Sequence, residues 1–199
     1  MNLPLLKIDN LDYKSIFIDT NNTYLYNIED FFNEVTHKYT YKILDIFNTK
    51  KSKESQDALN LSSEYFKLSQ EEKYLNFIID IFKRNKYRCY VEVNINFESY
   101  EDYLYFSSKL DQIDKHLLLI NFLRNYNRKG NVFLIDDSNL LKMFMKGMLR
   151  EIFDSVLFFP ESQMLIFSNF DLSLPIIIKN KGDENIYGEI ARKYSLYLR

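Results

Sequence analysis

Hydrophobic and polar positions change their spacing several times along the chain, so the sequence predicts both strands and helices. Short segments rich in β-branched residues at 5–8, 15–18 and 132–135 are typical of strands, and strict alternation over 87–97 predicts a half-buried strand. Apolar residues recur at steps of three and four in five further segments, which predicts helices at about 27–47, 69–86, 99–127, 136–152 and 184–198.

The C-terminal third predicts a meander of three strands at 156–159, 164–167 and 172–178, joined by PESQ and SNFD turns. Pro175 indicates that the last strand lies at an edge or is broken by a bulge. We therefore expect a single α+β domain over residues 1–199, with an antiparallel sheet that includes this meander and packs with about five helices. The polar segment 48–60 predicts a mobile loop within that domain.

Composition indicates a globular chain and restricts its compartment. Hydrophobic residues make up 46% and charged residues 27% of the 199 residues, so intrinsic disorder is excluded. The one cysteine, Cys89, forbids an internal disulfide and a Cys-rich zinc site and fits a reducing compartment. No signal-peptide pattern is present and no apolar segment approaches the roughly 20 residues that span a bilayer. The sequence therefore predicts a cytoplasmic protein without a membrane partner.

Motifs that carry catalysis are missing from the sequence. It contains no Gly-rich phosphate loop, no HExxH and no G-x-S-x-G. Cys89 lies on the apolar face of its predicted strand, and His37 and His116 are expected at the surface. Asp136 and Asp137 stand where a strand meets a helix, as helix-capping residues or as magnesium ligands. The capping interpretation accounts for them, so we expect no catalytic residue, no cofactor and no metal.

Charge is distributed in blocks that the net value of −2 conceals. Residues 92–114 carry six acidic and one basic side chain, whereas 73–88 and 115–129 each have a net charge of +4. The small net charge removes the broad basic field that non-specific nucleic-acid binding needs. The basic block at 73–88 could contact a phosphate backbone, but helix C-termini attract such residues anyway. Nucleic acid is therefore disfavoured as a partner.

The acidic block contains the candidate binding site. If the apolar residues of helix 99–127 pack inward, the opposite face presents acids together with an exposed leucine and tyrosine. Tyrosine is enriched in interface hot spots, and acidic groups steer a basic partner. A plain solvated helix face is the alternative. The predicted partner-binding residues are Glu98, Glu101, Leu104, Tyr105, Asp111 and Gln112.

The last fifty residues, FDSVLFFPESQMLIFSNFDLSLPIIIKN and the terminal helix, resemble the ends of small bacterial immunity proteins that neutralise polymorphic toxins. The resemblance is one of layout and covers about a quarter of the chain. It implies a non-catalytic, single-domain inhibitor that binds a cognate toxin domain, and a basic toxin would match the acidic helix face.

Two other hypotheses fit the same sequence. One is a small metal-dependent, nuclease-like enzyme whose dispersed carboxylate site joins Asp136 and Asp137 to Glu92 or Asp171. The other is an accessory protein of a phage or mobile element. A toxin gene directly upstream would favour the inhibitor over both.

Overall fold

The computed structural model describes residues 6–7, 14–17, 28–52, 55, 63–93, 100–125, 132–152, 154–169 and 171–199. Its helices are α1 Lys14–Phe17, α2 Ile28–Lys38, α3 Glu64–Arg84, α4 Tyr100–Ser108, α5 Gln112–Asn125, α6 Ser138–Leu149 and α7 Glu184–Lys193, with a 3₁₀ turn at Lys181–Asp183. Its strands are β1 Leu6–Lys7, β2 Thr40–Asp45, β3 Cys89–Val93, β4 Val132–Ile135, β5 Ser155–Phe159, β6 Met164–Phe167, β7 Leu174–Ile178 and β8 Tyr197–Leu198.

The strands form one sheet in the order β1-β4-β3-β5-β6-β7-β2-β8, and every described pair is antiparallel. Strands β5, β6 and β7 are neighbours in sequence order, which confirms the predicted meander and the α+β fold. Much of the predicted loop 48–60 lies outside the described residues.

Helices cover both faces of the sheet. In β5, Leu157 and Phe159 pack into the larger core with α3 and α6, whereas Val156 and Phe158 face the smaller core formed with α1 and α2. The same alternation continues through β6 and β7. Because successive side chains of a strand point to opposite faces, a sheet covered on both sides has few polar positions, and all residues of β5, β6 and β7 are buried.

The N-terminal predictions were partly wrong. The strand predicted over 15–18 is wrong for residues 15–17, because α1 occupies Lys14–Phe17, and residue 18 lies outside the described residues. The helix predicted over 27–47 ends at Lys38, and β2 follows at Thr40–Asp45. Apolar residues of β2 happen to continue the helical spacing of α2, but pairing with β7 overrides that local pattern.

Helix α3 begins earlier than its predicted start. Ser63 is the N-cap, and its Oγ accepts a hydrogen bond from the Phe66 backbone N–H at 3.4 Å. Ser69, the first residue of the predicted range, lies inside the helix and donates to the Phe66 carbonyl oxygen. Seven residues of α3 are buried, and the Tyr74 hydroxyl donates to the Leu172 carbonyl oxygen, which ties the helix to the segment before β7.

Two strand predictions also needed correction. The alternating segment 87–97 contains β3 at Cys89–Val93, and its residues 94–97 lie outside the described part. β3 is central and covered on both faces, so Glu92 is buried, whereas Tyr87 is exposed in a turn with positive φ.

Pro175 does not mark an edge, because β7 lies between β6 and β2. Ile43, its partner in β2, exchanges both of its backbone hydrogen bonds with Arg199, so this β2–β7 pair needs no N–H from proline. Strand β6 pairs with β7 only as far as Ile166 and Ile176, which leaves Pro175 outside that register. The missing N–H of the proline therefore costs no hydrogen bond with β6 either.

The C-terminal segment is a helix followed by a strand. Predicted as one helix over 184–198, it ends at Lys193, and β8 adds to β2. Arg199 donates to the Asp45 carboxylate at 2.6 and 3.0 Å, which anchors this segment at the edge of the sheet. Within the described ranges, no helix combines the length and the apolarity that crossing a bilayer requires.

Candidate protein-binding surface

The helix predicted over 99–127 is broken into two, and we call residues 100–125 the α4–α5 arm. Ser107 and Ser108 donate side-chain hydrogen bonds to carbonyl oxygens one turn earlier, which weakens the helix end of α4. Asp111 then caps α5, because its Oδ1 accepts from the Asp114 N–H at 3.2 Å. The break therefore follows from local hydrogen bonding that competes with a continuous helix.

Five of the six predicted binding residues lie on the outer side of this arm. Leu104 and Tyr105 are 49% and 58% exposed, and Glu101, Asp111 and Gln112 are also exposed. Glu98 lies outside the described residues. We call the exposed set Glu101, Leu104, Tyr105, Asp111 and Gln112 the α4–α5 ridge.

The inward apolar stripe is only partly as predicted. Leu110 and Leu117 are buried, but Ile113 is 72% exposed and Ile120 also faces outward. The side chain of Asp114, one residue on from Ile113, is only 5% exposed. The break before Gln112 changes the rotation of α5, so an aspartate occupies the inward position and an isoleucine the outward one.

Lys146 of α6 explains why Asp114 points inward. Its Nζ lies 2.6 Å from a carboxylate oxygen of Asp111 and 2.6 Å from one of Asp114. Burial alone would raise the pKa of Asp111, but hydrogen bonds from Lys146 and Asp114 outweigh it and lower this pKa to about 2. Burial raises the pKa of Asp114. One ammonium group thus joins the start of α5 to α6.

A second ion pair fixes the other side of the break. Arg150 donates from Nε and one terminal nitrogen to the two carboxylate oxygens of Glu71 on α3, both at 2.8 Å. Its other terminal nitrogen donates to the Lys109 carbonyl oxygen at 3.0 Å. The hydrogen bonds to the Glu71 carboxylate raise the pKa of Arg150 and keep the guanidinium charged. Consequently the α4–α5 break is tied to both α3 and α6.

The ridge is less acidic than its sequence indicates. The negative charge of Asp111 is paired with the Lys146 ammonium. The Lys109 ammonium lies 5.8 Å from the centre of the Tyr105 ring. Tyr105 also makes an edge contact with Phe106. The outer surface of α4 is therefore a mixed aromatic and charged surface.

Two clefts flank the arm. The α5–α6 cleft has a volume of about 380 Å³ and is lined by residues 111–114 of the arm and by Asn139, Lys142 and Lys146 of α6. The α3–α6 cleft has a volume of about 460 Å³ and lies between the first turns of α3, the end of α4 and the end of α6. Asp111 and Gln112 belong to both the ridge and the α5–α6 cleft.

Two of the residues considered for chemistry, Asp137 and Glu92, have structural roles. Asp137 caps α6 by accepting from the Asn139 and Leu140 N–H groups at 2.8 and 3.1 Å. Glu92 pairs with Val132, at the opposite end of β4 from Asp136. Among the described residues no three His, Cys, Asp or Glu side chains are grouped as metal ligands would be.

The cysteine and the two histidines differ in their exposure to solvent. Cys89 is fully buried, and this burial raises the pKa of its thiol. His37 and His116 are exposed on α2 and α5. His116 Nδ1 lies 2.6 Å from the Gln112 carbonyl oxygen, within its own helix.

Sequence reasoning missed the roles of Lys146, Arg150 and Ile113. The first two lie at i and i+4 along α6, on the side opposite its apolar face, and the sequence pattern does not show their ion-pair partners. Comparison of the chain with protein-family models, with curated proteins and with solved structures gives no match.

Proposed function

We propose that the protein is a non-catalytic inhibitor that binds another protein through the α4–α5 ridge. The observation that carries this proposal is a helical surface with exposed apolar side chains that is fixed from beneath. Leu104 and Tyr105 project outward, while Lys146 and Arg150 attach the same segment to α6 and α3. An interface that is ordered before binding loses less conformational entropy on association.

The chemistry of the ridge supports a protein partner. Tyrosine contributes large contact area at low entropic cost, and it is enriched at the centres of interfaces. Glu101 adds negative charge at the rim of the ridge, where it would steer a partner with basic groups. A standard interface of roughly 1,600 Å² would extend beyond the ridge onto the α5–α6 cleft.

The particular form that we propose is an immunity protein, which neutralises a bacterial toxin domain in the cytoplasm. The layout of the C-terminal quarter supports this part of the proposal. In this role the ridge blocks the active site or the substrate groove of the toxin, and the chain itself performs no chemistry.

Growth rescue tests the proposal directly. The product of the gene immediately upstream of this chain is expressed in a bacterial host, alone and together with the chain. We expect growth arrest without the chain and recovery with it. The Leu104→Ser, Tyr105→Ala double variant is expected to lose rescue while keeping its melting temperature, because both side chains are exposed.

A matched control uses a tyrosine away from the ridge. Tyr65 on α3 is 83% exposed, and Tyr65→Ala is expected to rescue like the unmodified chain. Equal rescue by the ridge double variant would overturn the choice of surface. Absence of any effect of the upstream product on growth would count against the toxin partner.

A further inference from the structure

Helix α5 reverses the usual distribution of side chains at its first turn. Ile113 is 72% exposed, whereas the adjacent Asp114 is nearly buried against Lys146. Aspartate is rarely buried unless paired, and a large aliphatic residue is usually inside. A local exception of this kind in an otherwise consistent core is typical of functional positions.

The exposed isoleucine is a wall of the α5–α6 cleft. The volume of about 380 Å³ lies at the small end of the range for ligand pockets and accommodates a single side chain of a partner. Ile113 is the exposed apolar residue by which the arm lines the cleft. Gln112 and Asn139, which are also exposed, add uncharged polar groups to its lining.

The charges in this cleft balance one another. Two lysines, Lys142 and Lys146, line it together with two aspartates, Asp111 and Asp114. Lys146 forms ion pairs with both carboxylates, and Lys142 lies one turn before it on α6. Neither a cationic nor an anionic occupant is therefore favoured by the net charge, whereas an apolar group would cover the exposed Ile113 surface.

We propose that the α5–α6 cleft receives an uncharged apolar side chain of the protein partner, with Ile113 as the surface it packs against. The cleft is continuous with the α4–α5 ridge through Asp111 and Gln112. This inference rests on the proposed function for the identity of the occupant, and it adds a hydrophobic anchor to a surface that the sequence alone presents as acidic.

Small molecules of equal shape and different charge test the cleft without any toxin. The probes are 4-methylpentan-1-ol, 4-methylpentanoate and 4-methylpentylamine, each titrated into the full chain while the NMR signals of the Ile113 methyl groups and the Gln112 amide are followed. We expect saturable shifts with the alcohol, with a Kd in the millimolar range for so few atoms. The two ions are expected to bind no more tightly than the alcohol.

Two isoleucine variants supply the matched comparison. Ile113→Ser removes the apolar wall and is expected to abolish the saturable shift of the Gln112 amide. Ile120→Ser, two turns further along the same exposed face and outside the cleft, is expected to leave alcohol binding unchanged. Both residues are exposed, so neither change should affect folding.

The outcomes separate this inference from the proposed function. No saturable shift with the alcohol, unchanged binding in Ile113→Ser, or an ion that binds at least about tenfold more tightly than the alcohol would each overturn the apolar cleft. Growth rescue that depends on Tyr105 would still support the inhibitor in those cases. Conversely, a cleft that binds the alcohol stands even if the upstream product proves harmless.

Discussion

The meander β5–β7 and the α4–α5 arm differ in the interactions that hold them in place. All residues of the meander strands are buried, and apolar side chains on both faces pack against helices. The arm exposes Leu104, Tyr105 and Ile113, and its attachment to α6 includes the buried polar contacts of Lys146 and Arg150. The meander is stabilised mainly by hydrophobic burial, whereas the arm combines a smaller buried apolar side, with Leu110, Leu117 and Leu118, with a few directional bonds.

This difference shows where the chain can accept change. Hydrophobic burial is non-directional and spread over many residues, so it determines the stability of the domain. Directional ion pairs contribute less net stability but specify one orientation of the arm. Substitutions on the exposed side of the arm should therefore change the stability of the domain less than substitutions in the meander.

The largest expected effect comes from the meander. Phe158→Ala removes a buried ring that contacts Phe17 and Tyr90 at centroid distances of 5.7 and 6.0 Å. We expect the free energy of unfolding to fall by about 3–5 kcal/mol, because the ring is lost and a cavity remains. Urea denaturation followed by circular dichroism measures it, and a loss below about 1 kcal/mol would contradict the assignment of the meander as the stabilising region.

A smaller loss of stability is expected at the Arg150–Glu71 ion pair, which lies beneath the arm. Glu71→Gln leaves the Arg150 guanidinium without its carboxylate, and we expect about 2–3 kcal/mol lower stability because the site is largely buried. Glu72→Gln, an exposed neighbour on the same helix, is the control and should change stability by less than about 0.5 kcal/mol. Equal effects of the two variants would show that the Arg150–Glu71 ion pair adds no stability of its own.

The Lys146 contacts allow the two means of stabilisation to be exchanged. Lys146→Met alone leaves two carboxylates without their cation, and we expect a loss of about 2 kcal/mol. The double variant Lys146→Met, Asp114→Leu makes the same place apolar and should recover that loss, since buried ion pairs are often replaceable by hydrophobic residues. If calorimetry finds the double variant less stable than Lys146→Met, the interpretation that Asp114 stabilises the arm through its ion pair with Lys146 is wrong.

The acid dependence of stability should identify the same contacts. The pKa of Asp111 is lowered to about 2 in the folded chain, so its contribution is complete above about pH 5 and is lost as the pH falls through 4 towards 2. Asp114 has a raised pKa and acts in the opposite direction, since protonation relieves the cost of burying its charge.

Asp111→Asn keeps a capping side chain and removes only the charge. The stability difference between this variant and the unmodified chain should therefore shrink as the pH is lowered from about 5 to about 2. Denaturation curves at several pH values, together with carboxyl NMR titration, measure it. A difference that stays constant with pH would be inconsistent with the Lys146 contact.

The smallest effect on stability is expected at the ridge. Leu104→Ser and Tyr105→Ala alter exposed side chains and should each change the free energy of unfolding by less than about 0.5 kcal/mol. A larger loss in thermal denaturation would indicate that the ridge is part of the fold and not a surface kept for binding.

Sequence patterns predicted the elements whose local and tertiary preferences agree. The meander and α6 combine clear spacing, turn residues or a capping aspartate with burial in the expected direction. Sequence patterns failed where pairing between strands overrode a helical spacing, as in β2. They also failed where the paired strand is far away in sequence, as in β8. Pairing between distant segments leaves no periodic signal in either one.

The ridge could be predicted because exposure of one helix face follows from the burial of the other. Its electrostatics could not, since the cation that pairs with Asp111 comes from α6, 35 residues later in the chain. The outward position of Ile113 was also beyond the apolar pattern. It depends on the helix break at residues 109–111, which hydrogen bonds of serine and aspartate side chains create.

Strand β2 joins the sheet between two segments that are distant from it in sequence. Its carboxylate Asp45 meets Arg199 across 154 positions, whereas β5 and β6 meet across a four-residue turn. Closing long loops is entropically costly and slows folding, so the meander should assemble early and offer β7 as a template. We therefore expect the pairing of β2 with β7 and β8 to be a late step of folding.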